Sequence, residues 1–526
     1  MMKMKRRSFI AGATAGTAAL PMVSKAQRIG RSRPNFLVIC CDQLQSYSLA
    51  CNGNPDVKTP NIDRLAREGC SFRRAYCNNS VCMPARSTMI TGLYPRQHGC
   101  ITNGTALPES IPTLPQVLVR HGYRTHAVGK LHFQPLGTTN SAESSERWLS
   151  GELTSLPKNY YGFQTSDFIG GHVDFIFGDY VNDIRRNHPG VYEKYQRENA
   201  VWQSAGRHNC WKMDVPPELH YNNWIAEKSI RFMESSKENP FFLWCSFPDP
   251  HFPFAATKPY ADLYDPNKLR LCPTAFEPLK EPETLCRRRE FFKKNYSFNE
   301  KTLREMAAQT YGMITHVDDC VGKILDRMTR NGLMDNTVIL FVSDHGEYLG
   351  SHHLIEKADW MYEELARIAM IWRIPKAARP GQGSDSVVSQ VDLLPTILDY
   401  AGIDASELDL RKNFSAPPIP LPGRSLKPLL SNGISLPERS AFLEYDEDWH
   451  ASGFYRVRTL IGARYKLIVY THTGGGQLFD LENDPYEREN LWDNAAHRVV
   501  KTEMMEALLR EASIHDRAEQ PRRCGA

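Results

Sequence analysis

Cys82 stands four residues before Arg86 in the run Asn79-Ser80-Val81-Cys82-Met83-Pro84-Ala85-Arg86-Ser87-Thr88-Met89-Ile90-Thr91-Gly92. The run is predicted to pass from loop into helix at the cysteine. A thiol there meets the positive end of a helix dipole and a guanidinium one turn on, so its thiolate is favoured and nucleophilic chemistry becomes available. An isolated cysteine in such a turn is more often a buried structural residue, so chemistry has to be argued from its partners. Asp42, with Gln43 beside it, follows the apolar run Asn35–Cys40, and Asp344, with His345 beside it, follows the apolar run Thr337–Val342. Two carboxylates at strand ends, an amide oxygen and an imidazole form a donor set for a divalent cation.

The elements that must position these groups are short apolar strands alternating with helical stretches, which argues for a mainly parallel α/β sheet. Asn35–Cys40, Phe241–Phe247 and Thr337–Val342 are continuous apolar runs, each followed by polar chemistry. Ligand sites lie at the carboxyl ends of such strands. Thr59-Pro60-Asn61-Ile62-Asp63 is predicted to cap a helix running to Glu68 and stopped by Gly69. Residues 138–221, rich in Trp, Tyr, His and Arg, break the rhythm and read as an insertion or set of long loops. The Pro417–Pro422 segment reads as a linker. Beyond it, 454–460, 465–470 and 477–481 read as short antiparallel strands, with a closing helix over 497–511. The expected divisions are therefore a catalytic domain at 34–415 and a C-terminal subdomain at 424–515.

The ends and the composition narrow the setting. Lys5-Arg6-Arg7-Ser8-Phe9-Ile10, an Ala/Gly/Thr-rich run to Val23 and Ser24-Lys25-Ala26 read as a twin-arginine signal peptide over residues 1–26. Its apolar run is shorter than the roughly 20 residues that span a bilayer. The expected location is periplasmic or extracellular, reached through the twin-arginine export machinery. A net charge of +4 on 526 residues demands no nucleic-acid or membrane-surface partner. Thirteen cysteines match no paired C-x-x-C zinc pattern and read mostly as buried apolar residues, with disulfides left open.

The stretch around Cys82 resembles the signature of the type I sulfatases, C-x-P-x-R followed by Thr-Gly, whose cysteine is oxidised to formylglycine. Ala85 stands where many members carry Ser. Other parts resemble the same family: Cys41-Asp42-Gln43 its opening metal-binding pair, and Ser343-Asp344-His345-Gly346 its closing pair. Gly129-Lys130-Leu131-His132 is similar to its G-K-x-H element, and Asp249-Pro250-His251-Phe252-Pro253 to its P-H-x-P element. Leu349–Lys357 resembles its G-D-H-x-L-x-x-K run, with Ser351 in place of the usual Asp. The resemblance runs from Pro34 to Trp492 and is patchy over 138–221.

This resemblance implies an alkaline-phosphatase-like α/β fold: a large, mainly parallel or mixed sheet flanked by helices, with a smaller C-terminal antiparallel subdomain. It implies sulfate-ester hydrolysis by formylglycine at residue 82, installed by a formylglycine-generating enzyme. The metal, Ca2+ or Mn2+, would be held by Asp42, Gln43, residue 82, Asp344 and His345. Lys130 and Lys357 would neutralise and bind the sulfate, and Arg86 would hold the nucleophile. His251 would bind substrate and protonate the leaving oxygen, and His132 would be the base that drives sulfate off the enzyme.

Two rival readings remain, a phosphonate monoester or phosphodiester hydrolase with the same nucleophile and a silent carbohydrate-binding homologue. The complete nucleophile, acid and lysine set argues against the second. Export and the residues Trp148, Tyr160, Tyr161, His172, Trp202, His208 and Trp211 point to a sulfated carbohydrate as substrate, since such side chains stack on sugar faces.

Overall fold

Strands buried on both faces read as near-continuous apolar runs, and three central strands of the main sheet do so. All seven residues are buried in each of the strands Asn35–Cys41, Phe241–Phe247 and Thr337–Ser343. The structure, a computed structural model, describes residues 33–205, 209–236, 239–277, 299–377, 380–408, 421–447, 455–471 and 474–515. The predicted signal peptide, His208 and most of the Pro417–Pro422 segment lie outside them. Among the described residues no helix is long and apolar enough to cross a membrane.

The strands of the main sheet, in chain order, are β1 (Asn35–Cys41), β2 (Cys70–Ser71), β3 (Arg124–Gly129), β4 (Thr165–His172), β5 (Phe175–Gly178), β6 (Phe241–Phe247), β7 (Thr337–Ser343) and β8 (Met370–Arg373). Their spatial order is β2-β8-β7-β1-β6-β3-β4-β5. β7, β1, β6, β3 and β4 run parallel, and antiparallel strands close both edges. The sheet is thus mixed with a parallel centre, as expected. In register, Cys41 lies opposite both Ser343 and Phe247, and Gly129 opposite Ser246. The strands therefore end level, and the residues just beyond them share one rim of the sheet. Gly129 is required there: a Cβ at its position would fall 1.8 Å from the Ser246 carbonyl oxygen, and its φ is +92°.

Helices cover the sheet. Tyr221–Ser235 packs on β6 and β3, and the long helix Glu300–Arg330 packs against it. The helix Pro60–Glu68 forms as expected, but Thr59 makes no side-chain cap. Asp318, reaching from the long helix, instead accepts the Asn61 and Ile62 backbone N–H groups at 3.1 and 2.8 Å. A tertiary carboxylate takes the role that the local sequence assigned to a threonine.

The segment 138–221 is not an insertion of loops, because β4 and β5 extend the main sheet from within it. Its Thr165-Ser166-Asp167 opening and the Gly170-Gly171 pair conceal the strand from a hydrophobicity reading.

The C-terminal sheet has four antiparallel strands in chain order, β9 (Ala441–Glu447), β10 (Tyr455–Ile461), β11 (Tyr465–Tyr470) and β12 (Gly475–Asp480), followed by the helix Arg498–Ile514. Three of these strands match the sequence reading, and β9 was not anticipated. Among the described residues every cysteine is a free thiol, most of them buried.

Candidate active site

The parallel strands of the sheet deliver one cluster. Asp344 and His345 follow β7, Asp42 and Gln43 follow β1, Lys130 and His132 follow β3, and His172 ends β4. His251 lies four residues past β6. Facing them, Cys82 opens the wholly buried helix Cys82–Thr91. Its Sγ lies 2.9 Å from Lys357 Nζ, 3.3 Å from His345 Nε2, 3.5 Å from Asp42 Oδ1 and 3.8 Å from Lys130 Nζ. Burial, followed by the Asp42 charge, opposes the thiolate. Lys130, Lys357 and His345 outweigh both and hold the thiol well below its ordinary value. The loop before Cys82 is braced by the C-terminal sheet: Asn78 and Asn79 donate to the Phe442 and Glu444 carbonyls at 2.8 and 2.7 Å.

Asp42, Cys82, Asp344 and His345 converge as a donor set able to hold a metal ion. Burial raises the pKa of both carboxyls. Asp42 is nonetheless held well below the usual carboxylate range by Lys130, then His251 and Arg86. Asp344 is pushed up by burial and then by the Asp42 charge. A cation between the two relieves that repulsion.

Two further observations fit an ion here. A proton on His345 Nδ1, donated to the Gly346 carbonyl at 2.9 Å, leaves the Nε2 lone pair facing Cys82, Asp42 and Asp344. Gln43 Oε1 is buried and, among the described residues, meets no hydrogen-bond donor. Such an oxygen is costly unless something else engages it. Oxygen donors together with one imidazole suit calcium or manganese.

Arg86 is fully buried and ties the centre together. Its Nε donates to Asp344 Oδ2 at 2.8 Å, and one terminal nitrogen donates to the Lys130 carbonyl and Ser246 Oγ at 3.0 and 2.9 Å. Burial works against its charge, but Asp344 and its neighbours hold the pKa above the ordinary value. Lys130 donates to Asp42 Oδ2 and contacts His172 Nε2. Lys357 also lies 3.0 Å from His251 Nε2 and 3.2 Å from His345 Nε2. Burial pushes His132 down to about 4, and burial followed by the Lys357 charge does the same to His251. Both rings are neutral at pH 7 without an anion beside them.

All ten residues singled out from sequence thus reach one buried centre. Two more belong with them. His172 stacks on His251 with ring centroids 3.5 Å apart and planes within 5°, and its Nε2 lies 3.2 Å from Asp42 Oδ2. It had been grouped with aromatics for sugar stacking. Glu347, two residues past His345, was overlooked, although Asp344-His345-Gly346-Glu347 was legible as one run.

Four of the supposed stacking residues are packed into the core and present no open face to solvent. Trp148, Tyr160, Tyr161 and Trp211 are at most 5% exposed, and Trp148 and Tyr160 spend their polar atoms on Ala142 and Glu143. His352 turns away from the centre, stacking on Tyr362 and reaching the Glu487 carbonyl.

The chain matches the family profile described as Sulfatase over residues 34–403, and that described as N-sulphoglucosamine sulphohydrolase, C-terminal, over residues 350–513. An arylsulfatase of Clostridium perfringens is 28% identical over 508 residues, covering 91% of this chain and 94% of the relative. An N-acetylglucosamine-6-O-sulfatase of Bacteroides thetaiotaomicron is 26% identical over 523 residues, covering 93% and 88%. The solved phosphonate monoester hydrolase of Agrobacterium radiobacter superposes with a TM-score of 0.74 at 24% identity, covering 92% of this chain and 96% of that one, which shows a common fold. Because the first profile spans more than half of the chain and takes in every residue of the cluster, the chain belongs to the sulfatase family of sulfate-ester hydrolases.

Proposed function

We propose that the chain hydrolyses sulfate esters of carbohydrates, with Cys82 converted to formylglycine and a divalent cation held by Asp42, Gln43, Asp344 and His345. The carrying observation is the crowding of two lysines, an imidazole and a carboxylate around Cys82 Sγ. In this structure Sγ stands where the converted residue would carry its oxygen. A hydrated aldehyde supplies an oxygen nucleophile on a carbon that can return to the aldehyde, and the cation supplies positive charge to the sulfate oxygens.

This chain's own residues do the rest. Lys357 and Lys130 reach residue 82 from two sides and would grip a sulfate group there. Arg86 gives Nε and one terminal nitrogen to Asp344, Ser246 and the Lys130 carbonyl, which fixes the frame. Its other terminal nitrogen, buried 3.6 Å from Asp42 and without a hydrogen bond among the described residues, is left to hold the nucleophile. His251 Nε2 faces Lys357, next to the bound anion, and that anion's charge favours protonating the ring. It is then placed to give its proton to the leaving oxygen. His132 is the base for expelling sulfate.

The two histidines should separate by leaving group. His251→Ala should slow alkyl sulfates by about 10²–10⁴-fold and aryl sulfates with good leaving groups far less. His132→Ala should release alcohol in a burst equal to the enzyme concentration and then stall on sulfate. Equal losses on every substrate with no burst would reject the assignment.

The carbohydrate reading draws on the N-acetylglucosamine-6-O-sulfatase relative and on the proposed export of the chain to where glycans are met. The buried aromatics no longer support it. Rates on sulfated mono- and oligosaccharides, choline sulfate, aryl sulfates and phosphonate or phosphate diesters decide it. Efficient turnover of a non-sugar sulfate with every saccharide inert would end the carbohydrate reading, and a preference for phosphonate esters would end the sulfatase activity itself.

A further inference from the structure

Glu347 is 2% exposed, and its two carboxylate oxygens serve different partners. Oε2 accepts from the Gln43 side-chain amide. Oε1 accepts from the backbone N–H of Leu349 at 3.0 Å and from that of Glu356, the residue before Lys357. The Glu347 carbonyl accepts from Gln45 Nε2 at 2.9 Å, which ties the same residue again to the segment carrying Asp42 and Gln43.

The loop that Glu347 closes is not relaxed. Leu349, His352, His353 and Glu356 all have φ between 44° and 62°, a region that non-glycine residues enter at a cost. A side chain that holds two amides of such a loop sets where its last residue, Lys357, emerges.

The amide of Gln43 has one oxygen and one nitrogen, and a carboxylate can satisfy only the nitrogen. By taking Nε2, Glu347 leaves Oε1 as the free end, and Oε1 is the buried acceptor that meets no donor among the described residues. We infer that Glu347 is a positioning residue that aims the Gln43 carbonyl oxygen at the cation and, with its other oxygen, fixes the loop presenting Lys357 to residue 82. The inference rests on the reading of Gln43 as a cation ligand.

A glutamine side chain in place of Glu347 has one acceptor oxygen for these three donors. Either the backbone amides lose it, or its own nitrogen confronts Gln43 Nε2 and turns that amide round. Glu347→Gln should therefore weaken Ca2+ binding to chelator-stripped protein by about 10–100-fold, measured by calorimetry and repeated with Mn2+. Combining Glu347→Gln with Gln43→Glu restores the pairing, since a carboxylate at position 43 accepts from the amide introduced at position 347 and still offers the ion an oxygen. The double variant should recover the affinity that the single variant loses.

Gln43→Ala separates the two ideas. If it binds either ion as tightly as the unaltered chain, Gln43 is no ligand and the underlying reading fails. If it binds weakly while Glu347→Gln binds normally, or if the double variant stays as weak as Glu347→Gln with an unchanged melting temperature, the positioning role is wrong.

Discussion

Cys82→Ala should leave a folded protein with no measurable turnover. Removing a covalent nucleophile from a hydrolase has cost on the order of 10⁶ in kcat. The backbone does not depend on the sulfur: alanine suits the helix Cys82–Thr91, and the Asn78 and Asn79 contacts that brace the preceding loop are untouched, although Lys357 loses its 2.9 Å partner. Melting should therefore fall by no more than the loss of that one contact while activity vanishes. The same burial bears on maturation. Cys82 is 1% exposed in the folded chain, so on the formylglycine reading conversion is expected before folding, while the cysteine is still open to a modifying enzyme. If export follows the twin-arginine route, which carries folded protein, conversion also comes before export. Protein made without a formylglycine-generating enzyme should be folded, bear the thiol and be nearly inactive. A peptide map showing only unmodified thiol in fully active enzyme would falsify the formylglycine reading.

Asp344→Ala should damage both activity and stability. Its Oδ1 accepts the backbone N–H groups of Gln43 and His345, each at 2.9 Å, and its Oδ2 accepts from Arg86 Nε at 2.8 Å. On the proposed reading the cation would lose a charged ligand, and Gln43 and His345 lose the acceptor that holds their backbone. Among the described residues the fully buried Arg86 keeps only Asp42, 3.6 Å away, as a carboxylate in contact. Breaking one partner out of a buried ion pair costs about 3–5 kcal/mol, because the remaining charge stays desolvated. Chemical denaturation should show that loss, and metal analysis should show occupancy falling in step with rate. Full activity in the unaltered enzyme after exhaustive chelation would defeat the cation reading.

The chemistry was legible in the sequence because its residues stand in short local runs: the helix start at Cys82, Asp42-Gln43 and Asp344-His345 after apolar strands, and Lys130 with His132 beside a glycine. Continuous apolar runs announce doubly buried parallel strands, and parallel strands put their following residues on one rim, so fold and site arrived together. What sequence could not carry were relations between distant segments. Asp318 caps a helix through Asn61, 257 residues earlier in the chain. His172 became part of the site only because a glycine-bearing strand joined the sheet beside β3. Trp148 and Trp211 looked like sugar platforms by type, but packing consumed them, since residue type does not state which face a side chain turns to solvent. Glu347 was one more acid near a motif until the fold placed Gln43 against one of its oxygens and the Lys357 loop against the other. Local order chose the chemical groups; the tertiary structure chose their partners, because burial and hydrogen bonding are properties of neighbours brought together across the chain.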